Sequence, residues 1–186
     1  MGSGGVRPAP APLLPLPLPA LLLLLLLGAV GGAAGSAVLL PGQRLRPGDA
    51  ITGGNGYLIM QADGDLAVCT TLSADGKSCG SELLWSSSTQ GNSGAYAEMQ
   101  EMGVLAVFPQ TCPEGPHDCR LWQSHTMAKA GCAPTDTNCA YVAIQKDGNV
   151  VLHKGASPAS AGPVIWSTAT KILPKGTKNV LWMIAE

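Results

Sequence analysis

Chemistry in this chain could reside in four sets of residues, and their spacing separates them. Gly76-Lys77-Ser78-Cys79-Gly80 fits the G-x-S-x-G string of serine hydrolases. That string works only where a strand, a strained turn and a helix follow one another. Here Ser81-Glu82-Leu83-Leu84-Trp85-Ser86 comes next and reads as a strand, so no nucleophilic serine is expected and the chain is not read as an enzyme. His117, His125 and His153 lie far apart. They lack the ligand spacing of a zinc site, so no metal and no cofactor is expected. The six cysteines, Cys69, Cys79, Cys112, Cys119, Cys132 and Cys139, contain no C-x-x-C pair. The fourth set is polar: Gln145, Asp147 and Asn149, continued by Val151 and His153, with a partial counterpart in Gln61, Asp63 and Asp65. Alternate residues of a strand share one face about 7 Å apart, so such a run would set an accepting carboxylate beside amides that both donate and accept.

The elements that position these side chains are copies of one unit. Three windows align, YLIMQADGDLAVC (57–69), YAEMQEMGVLAVF (96–108) and YVAIQKDGNVVLH (141–153). Each opens on Tyr and carries Gln four residues later, and the Gln residues recur at intervals of 39 and 45. A Trp follows each Gln after 24, 22 and 21 residues, namely Trp85, Trp122 and Trp166. Apolar and polar residues alternate, the period of a strand buried on one face. In the third copy Ile144, Gly148, Val150 and Leu152 take one side, and Gln145, Asp147, Asn149, Val151 and His153 the other. The Asp-Gly and Met-Gly pairs read as tight turns or bulges between short strands. One such unit cannot bury its apolar face alone, so the three should close around a shared core, with the three Trp residues at its centre.

Residues 1–36 read as a signal peptide. Arg7 is their only charge, residues 13–30 are apolar, seven leucines occupy 21–27, and small residues fill 28–36. Pro15, Pro17 and Pro19 interrupt the apolar run and leave it short of the ~20 residues a bilayer span requires, so no membrane span is expected in the mature chain, residues 37–186. An even cysteine count in an exported chain reads as disulfides. Six cysteines permit fifteen pairings. The repeat frame favours the local ones, 69 with 79, 112 with 119, and 132 with 139, each bracketing a loop and each contributing roughly 2 to 3 kcal/mol. Without Arg7 the chain has ten basic and twelve acidic side chains, with no run of one sign. No basic stripe suggests nucleic acid.

The third window, Gln145-x-Asp147-x-Asn149-x-Val151-x-His153, resembles the Q-x-D-x-N-x-V-x-Y motif of the bulb-type, or monocot mannose-binding, lectins. The likeness extends from Leu39-Leu40-Pro41-Gly42-Gln43-Arg44-Leu45 through the three windows and the Trp elements to residues 179–185. It implies an all-β fold, a β-prism of three four-stranded antiparallel sheets with a pseudo-threefold repeat. It also implies mannose-containing glycans or glycoproteins as partners, bound by Gln, Asp and Asn, with the Val packed on the sugar ring. The copies differ. The third departs only in His153, an imidazole where the family has a phenol. The first keeps Gln61 and Asp63 but has Asp65, Ala67 and Cys69, leaving at most a weak second site. The second keeps Gln100 alone, with Met102, Val104, Ala106 and Phe108 at the other positions, and reads as structural. The family's usual cystine is absent, its positions falling at Gly64 and Ala95. The expected function is a secreted lectin-like protein, extracellular or vacuolar, acting through the third repeat. The alternative is a lectin-fold module that has lost mannose binding and serves a structural, protein-interaction or defence role. The resemblance further implies homo-oligomers built by exchange of C-terminal strands, and residues 180–184 are apolar enough to need covering.

Overall fold

A computed structural model describes Met1, residues 37–112 and residues 119–170. The expected export signal, His117 and residues 179–185 lie outside the described residues, and with them the expectation of strand exchange. The fold is almost wholly β. In chain order the strands are β1 (Val38–Leu39), β2 (Arg44–Leu45), β3 (Ala50–Gly53), β4 (Gly56–Met60), β5 (Leu66–Cys69), β6 (Leu83–Ser86), β7 (Tyr96–Gln100), β8 (Val104–Phe108), β9 (Trp122–Gln123), β10 (Ala140–Ile144), β11 (Val150–Lys154) and β12 (Val164–Ser167). A one-turn helix, α1 (Met127–Ala130), follows β9.

The strands form three four-stranded antiparallel sheets, β3-β4-β5-β6 for the first repeat, β2-β7-β8-β9 for the second and β1-β10-β11-β12 for the third. Each window is a hairpin, and its Trp strand supplies the third strand. The fourth strand of every sheet comes from one short N-terminal segment, which lends β1, β2 and β3 to the three sheets in turn. Leu39, Leu45 and Ile51, spaced by six, are each at most 1% exposed. Pro41-Gly42 and Pro47-Gly48 turn the chain between them, with Gly42 and Gly48 at φ of +77° and +88°, where a side chain is strained.

Alternation places the inner faces as expected. Leu58, Met60, Leu66 and Val68 of the first sheet, Ala97, Met99, Leu105 and Val107 of the second, and Val142, Ile144, Val150 and Leu152 of the third join in one core. The tryptophans depart from the expected place. Trp85, Trp122 and Trp166 are half-buried and pack against the core instead of filling its middle. Their rings meet pairwise at 5.2, 5.9 and 5.8 Å, all edge-to-face, so three equivalent residues close a triangle about the pseudo-threefold axis. Such ring pairs add roughly 0.5 to 1.5 kcal/mol each beyond burial.

The three local disulfides are formed, Cys69–Cys79, Cys112–Cys119 and Cys132–Cys139, with Cα separations of 5.8, 5.9 and 6.3 Å. The absent family cystine has a steric counterpart at Gly64. A Cβ there would come within 2.2 Å of the Asn92 carbonyl oxygen.

Candidate functional site

Each motif crosses a hairpin turn. Gln61, Gln100 and Gln145 accept through their carbonyls from the N–H of Gly64, Gly103 and Gly148, and these glycines have φ of +93°, +88° and +80°. The expected ladder along one strand face is therefore corrected. Gln145 precedes the turn, Asp147 lies within it, Asn149 leaves it, and only Val151 and His153 stand on β11. Glycine at the fourth turn position is what redirects the chain, so the polar groups gather at the hairpin tip instead of running up the sheet.

A pair of hydroxyls holds each tip. The Oγ of Ser87 and Ser124 and the Oγ1 of Thr168 accept from the N–H of Leu66, Leu105 and Val150 at 3.0, 3.1 and 3.2 Å. The Oγ1 of Thr89, Thr126 and Thr170 donate to the carbonyls of the turn glycines at 2.7, 2.5 and 3.0 Å. Within each pair the hydroxyls are 2.8, 2.8 and 2.9 Å apart. The residue between them, Ser88, His125 or Ala169, is left-handed, with φ of 59°, 53° and 55°. Ser87, Ser124, Thr126 and Thr168 belong to the Trp elements that recur in the sequence, but their role at the tips, shared with Thr89 and Thr170 in a W-x-[ST]-x-T pattern, was not read from it.

In the third repeat the tip keeps unspent hydrogen-bonding capacity. Asp147 Oδ1 accepts from the Asn149 N–H at 3.1 Å, which leaves Oδ2 without a partner among the described residues. Asn149 Oδ1 accepts from the Thr168 hydroxyl at 3.2 Å, which orients the amide and leaves its two N–H donors unengaged there. The Gln145 side chain also has no partner among the described residues, and all three residues are half-buried. Val151 is 2% exposed and forms a floor with little area to offer. His153 faces Tyr141 across the β10–β11 ladder, the rings stacked at 5.4 Å and 18°. Its Nδ1 is 3.1 Å from the Gly162 carbonyl, and since a carbonyl only accepts, that contact makes Nδ1 the donor. Burial raises the pKa of the Tyr141 phenol, which stays neutral beside it.

The first repeat has turned the same positions inward. Asp65 is 4% exposed, and its carboxylate accepts from the hydroxyls of Ser86 and Ser87 at 2.6 and 2.9 Å and from the Thr89 N–H at 3.1 Å. Gln61 Oε1 accepts from the Cys79 N–H at 2.8 Å. Leu72 and Cys79 pack over Ile59, Ala67 and Cys69, covering the face on which a ligand would lie. Asp63 alone remains exposed, its Oδ1 accepting from the Asp65 N–H. Gln61, Asp63 and Asp65 are thus brought to one tip, but two of the three are committed to holding the fold.

The second repeat is apolar. Val104, Ala106 and Phe108 are buried with Met102, Tyr96 and Met127 against them, and Phe108 stacks on Tyr96 at 5.4 Å. Gln100 is 5% exposed, with no partner for Oε1 among the described residues. Elsewhere, Ser78 is followed by β6 and not by a helix, and its hydroxyl bonds that of Ser73 at 2.9 Å. Cys132, Asp136 and Cys139 lie together, but both sulfurs are in a disulfide and offer no thiolate to a metal.

Three four-stranded sheets, each built from a hairpin with a donated N-terminal strand and joined at a tryptophan triangle, define a β-prism, the fold of the bulb-type mannose-binding lectins. The solved structure of a monomeric monocot mannose-binding lectin from Gastrodia elata is similar, with a TM-score of 0.52 and 24% identity over 74% of this chain and 100% of that one. A lectin from Marasmius oreades is similar at a TM-score of 0.51 and 18% identity, covering 75% of this chain and 95% of that one. No family model matches the chain, and no curated protein matches it by sequence.

Proposed function

We propose that this chain is a secreted lectin that binds mannose-type glycans through the tip of its third repeat. One observation carries the reading. Of three equivalent tips, only the third presents Gln145, Asp147 and Asn149 with donors and acceptors unengaged among the described residues, while the first spends its polar groups on the fold and the second replaces them with apolar side chains. An acceptor at Asp147 beside paired donors at Asn149 suits adjacent hydroxyls of one pyranose, and the solved Gastrodia elata protein of the same fold is a mannose-binding lectin. A single shallow tip of this kind binds a monosaccharide at around millimolar, about −4 kcal/mol, so function would draw on polyvalent glycans. The burial of Val151 and the engagement of His153 favour the other reading, a lectin fold that has given up mannose. Calorimetry with a high-mannose glycan separates the two. Binding by the natural chain that is abolished by Asp147→Ala and kept by Gln100→Ala supports the proposal, and no heat from the natural chain supports loss. Export is part of the proposal, resting on residues 1–36. Intact mass of protein recovered from the medium should place the new N-terminus between 33 and 37 and show three disulfides.

A further inference from the structure

The position that holds Asp147 and Asn149 in the third repeat holds Met102 and Val104 in the second, and there the surface is concave. A pocket of about 470 Å³ opens between the tip of the β7–β8 hairpin, helix α1 and Pro134. Val104, 3% exposed, makes its floor, and Met102 and Met127, both half-buried, make its walls. Arg120 and exposed His125 stand on its lining, and the Arg120 guanidinium has no partner among the described residues.

From this we infer that the second repeat carries a site for a small amphipathic anion, a molecule with an aromatic or short acyl body and one carboxylate or sulfonate group. The pocket lies in the size range of small-molecule sites, ~300 to 1,000 Å³. Its methionines adapt to ring systems of varied shape. Its one permanently charged lining residue is a cation, and an arginine fork can meet two oxygens of a carboxylate or sulfonate in two parallel hydrogen bonds. The first repeat provides the contrast. Its equivalent face is shut by the Cys69–Cys79 loop, with Leu72 packed down, whereas the described residues of the second repeat leave that face open beside α1. The inference stands apart from glycan binding, which belongs to a different tip.

Two probes that differ only in the anion test it on protein purified from cells expressing the full chain, namely 1-anilinonaphthalene-8-sulfonate and its uncharged parent N-phenyl-1-naphthylamine. Both should bind saturably, the sulfonate more tightly. Both should shift the methyl resonances of Met102 and Met127 while leaving those of core Met60 and Met99 in place, and free mannose should displace neither. Arg120→Gln should weaken the sulfonate roughly tenfold, the loss expected of a hydrogen bond to a charged group, and leave the uncharged probe unchanged. Arg120→Lys, which keeps the charge, should keep most of the preference. Equal loss of both probes in both variants, or no saturable binding by the natural chain, overturns the inference. So does binding that disappears as protein concentration rises, which would give the pocket to a second copy. Binding that emerges only in Trp182→Asp would give it to the chain's own C-terminal segment and overturn the inference as well.

Discussion

Asp65 and Asn149 occupy the same place in two hairpins, and they differ in how many of the donors that follow the Trp they engage. Asp65 draws in the hydroxyls of Ser86 and Ser87 and the Thr89 N–H, so its oxygens are satisfied by three donors in a buried setting. Asn149 accepts from one hydroxyl, that of Thr168, and keeps its amide donors. Asp65→Ala should therefore destabilise the protein by roughly 2 to 4 kcal/mol, because buried donors lose a charged acceptor, and urea unfolding measures it. Glycan affinity of the folded fraction should not change, and a loss of binding without a loss of stability would return Asp65 to the list of ligand contacts. The spacing of the motif identified both residues as equivalent from sequence. It could not show that one was spent, since that depends on hydroxyls more than twenty positions away whose role no local pattern declares. Nor did spacing show that His153 would be stacked on Tyr141 and tied to Gly162, a consequence of cross-strand register.

Among the elements, the hairpins were legible and the strands that complete the sheets were not. Alternation and the Gln-x-x-Gly turns mark the hairpins, because a period of two and a turn glycine are local signals. The paired strands β1, β2 and β3 are two to four residues long, too short to show a period. Their signal is the six-residue spacing of Leu39, Leu45 and Ile51, which becomes meaningful only once three sheets each need a fourth strand. Leu45 of β2 is wholly buried in the shared core, so Leu45→Ala should cost about 2 to 5 kcal/mol by emptying a core site. Denaturant unfolding checks this. A change below about 0.5 kcal/mol, the range of surface substitutions, would mean that the N-terminal segment is not part of the cooperative core.

At the scale of the whole molecule, one scaffold carries three hairpin tips of different chemistry: a closed tip under the Cys69–Cys79 loop, an apolar pocket at Met102 and Met127, and a polar tip at Gln145, Asp147 and Asn149. The inner faces stayed alike because they share one core and one tryptophan triangle, whereas the outer faces answer to no common packing and could diverge. The pseudo-threefold plan was legible in the sequence for the same reason, since core alternation and the Trp spacing repeat, while the fate of each tip depends on loops that do not. The central claim is that ligand recognition by mannose-type glycans is confined to the third tip, and backbone amide shifts during titration with methyl mannoside read it residue by residue. The account predicts saturable shifts at residues 145–153 and at Thr168, with residues 61–69 and 100–108 unmoved. Shifts centred on either of those other tips, or none at any tip at concentrations well above millimolar, would contradict it.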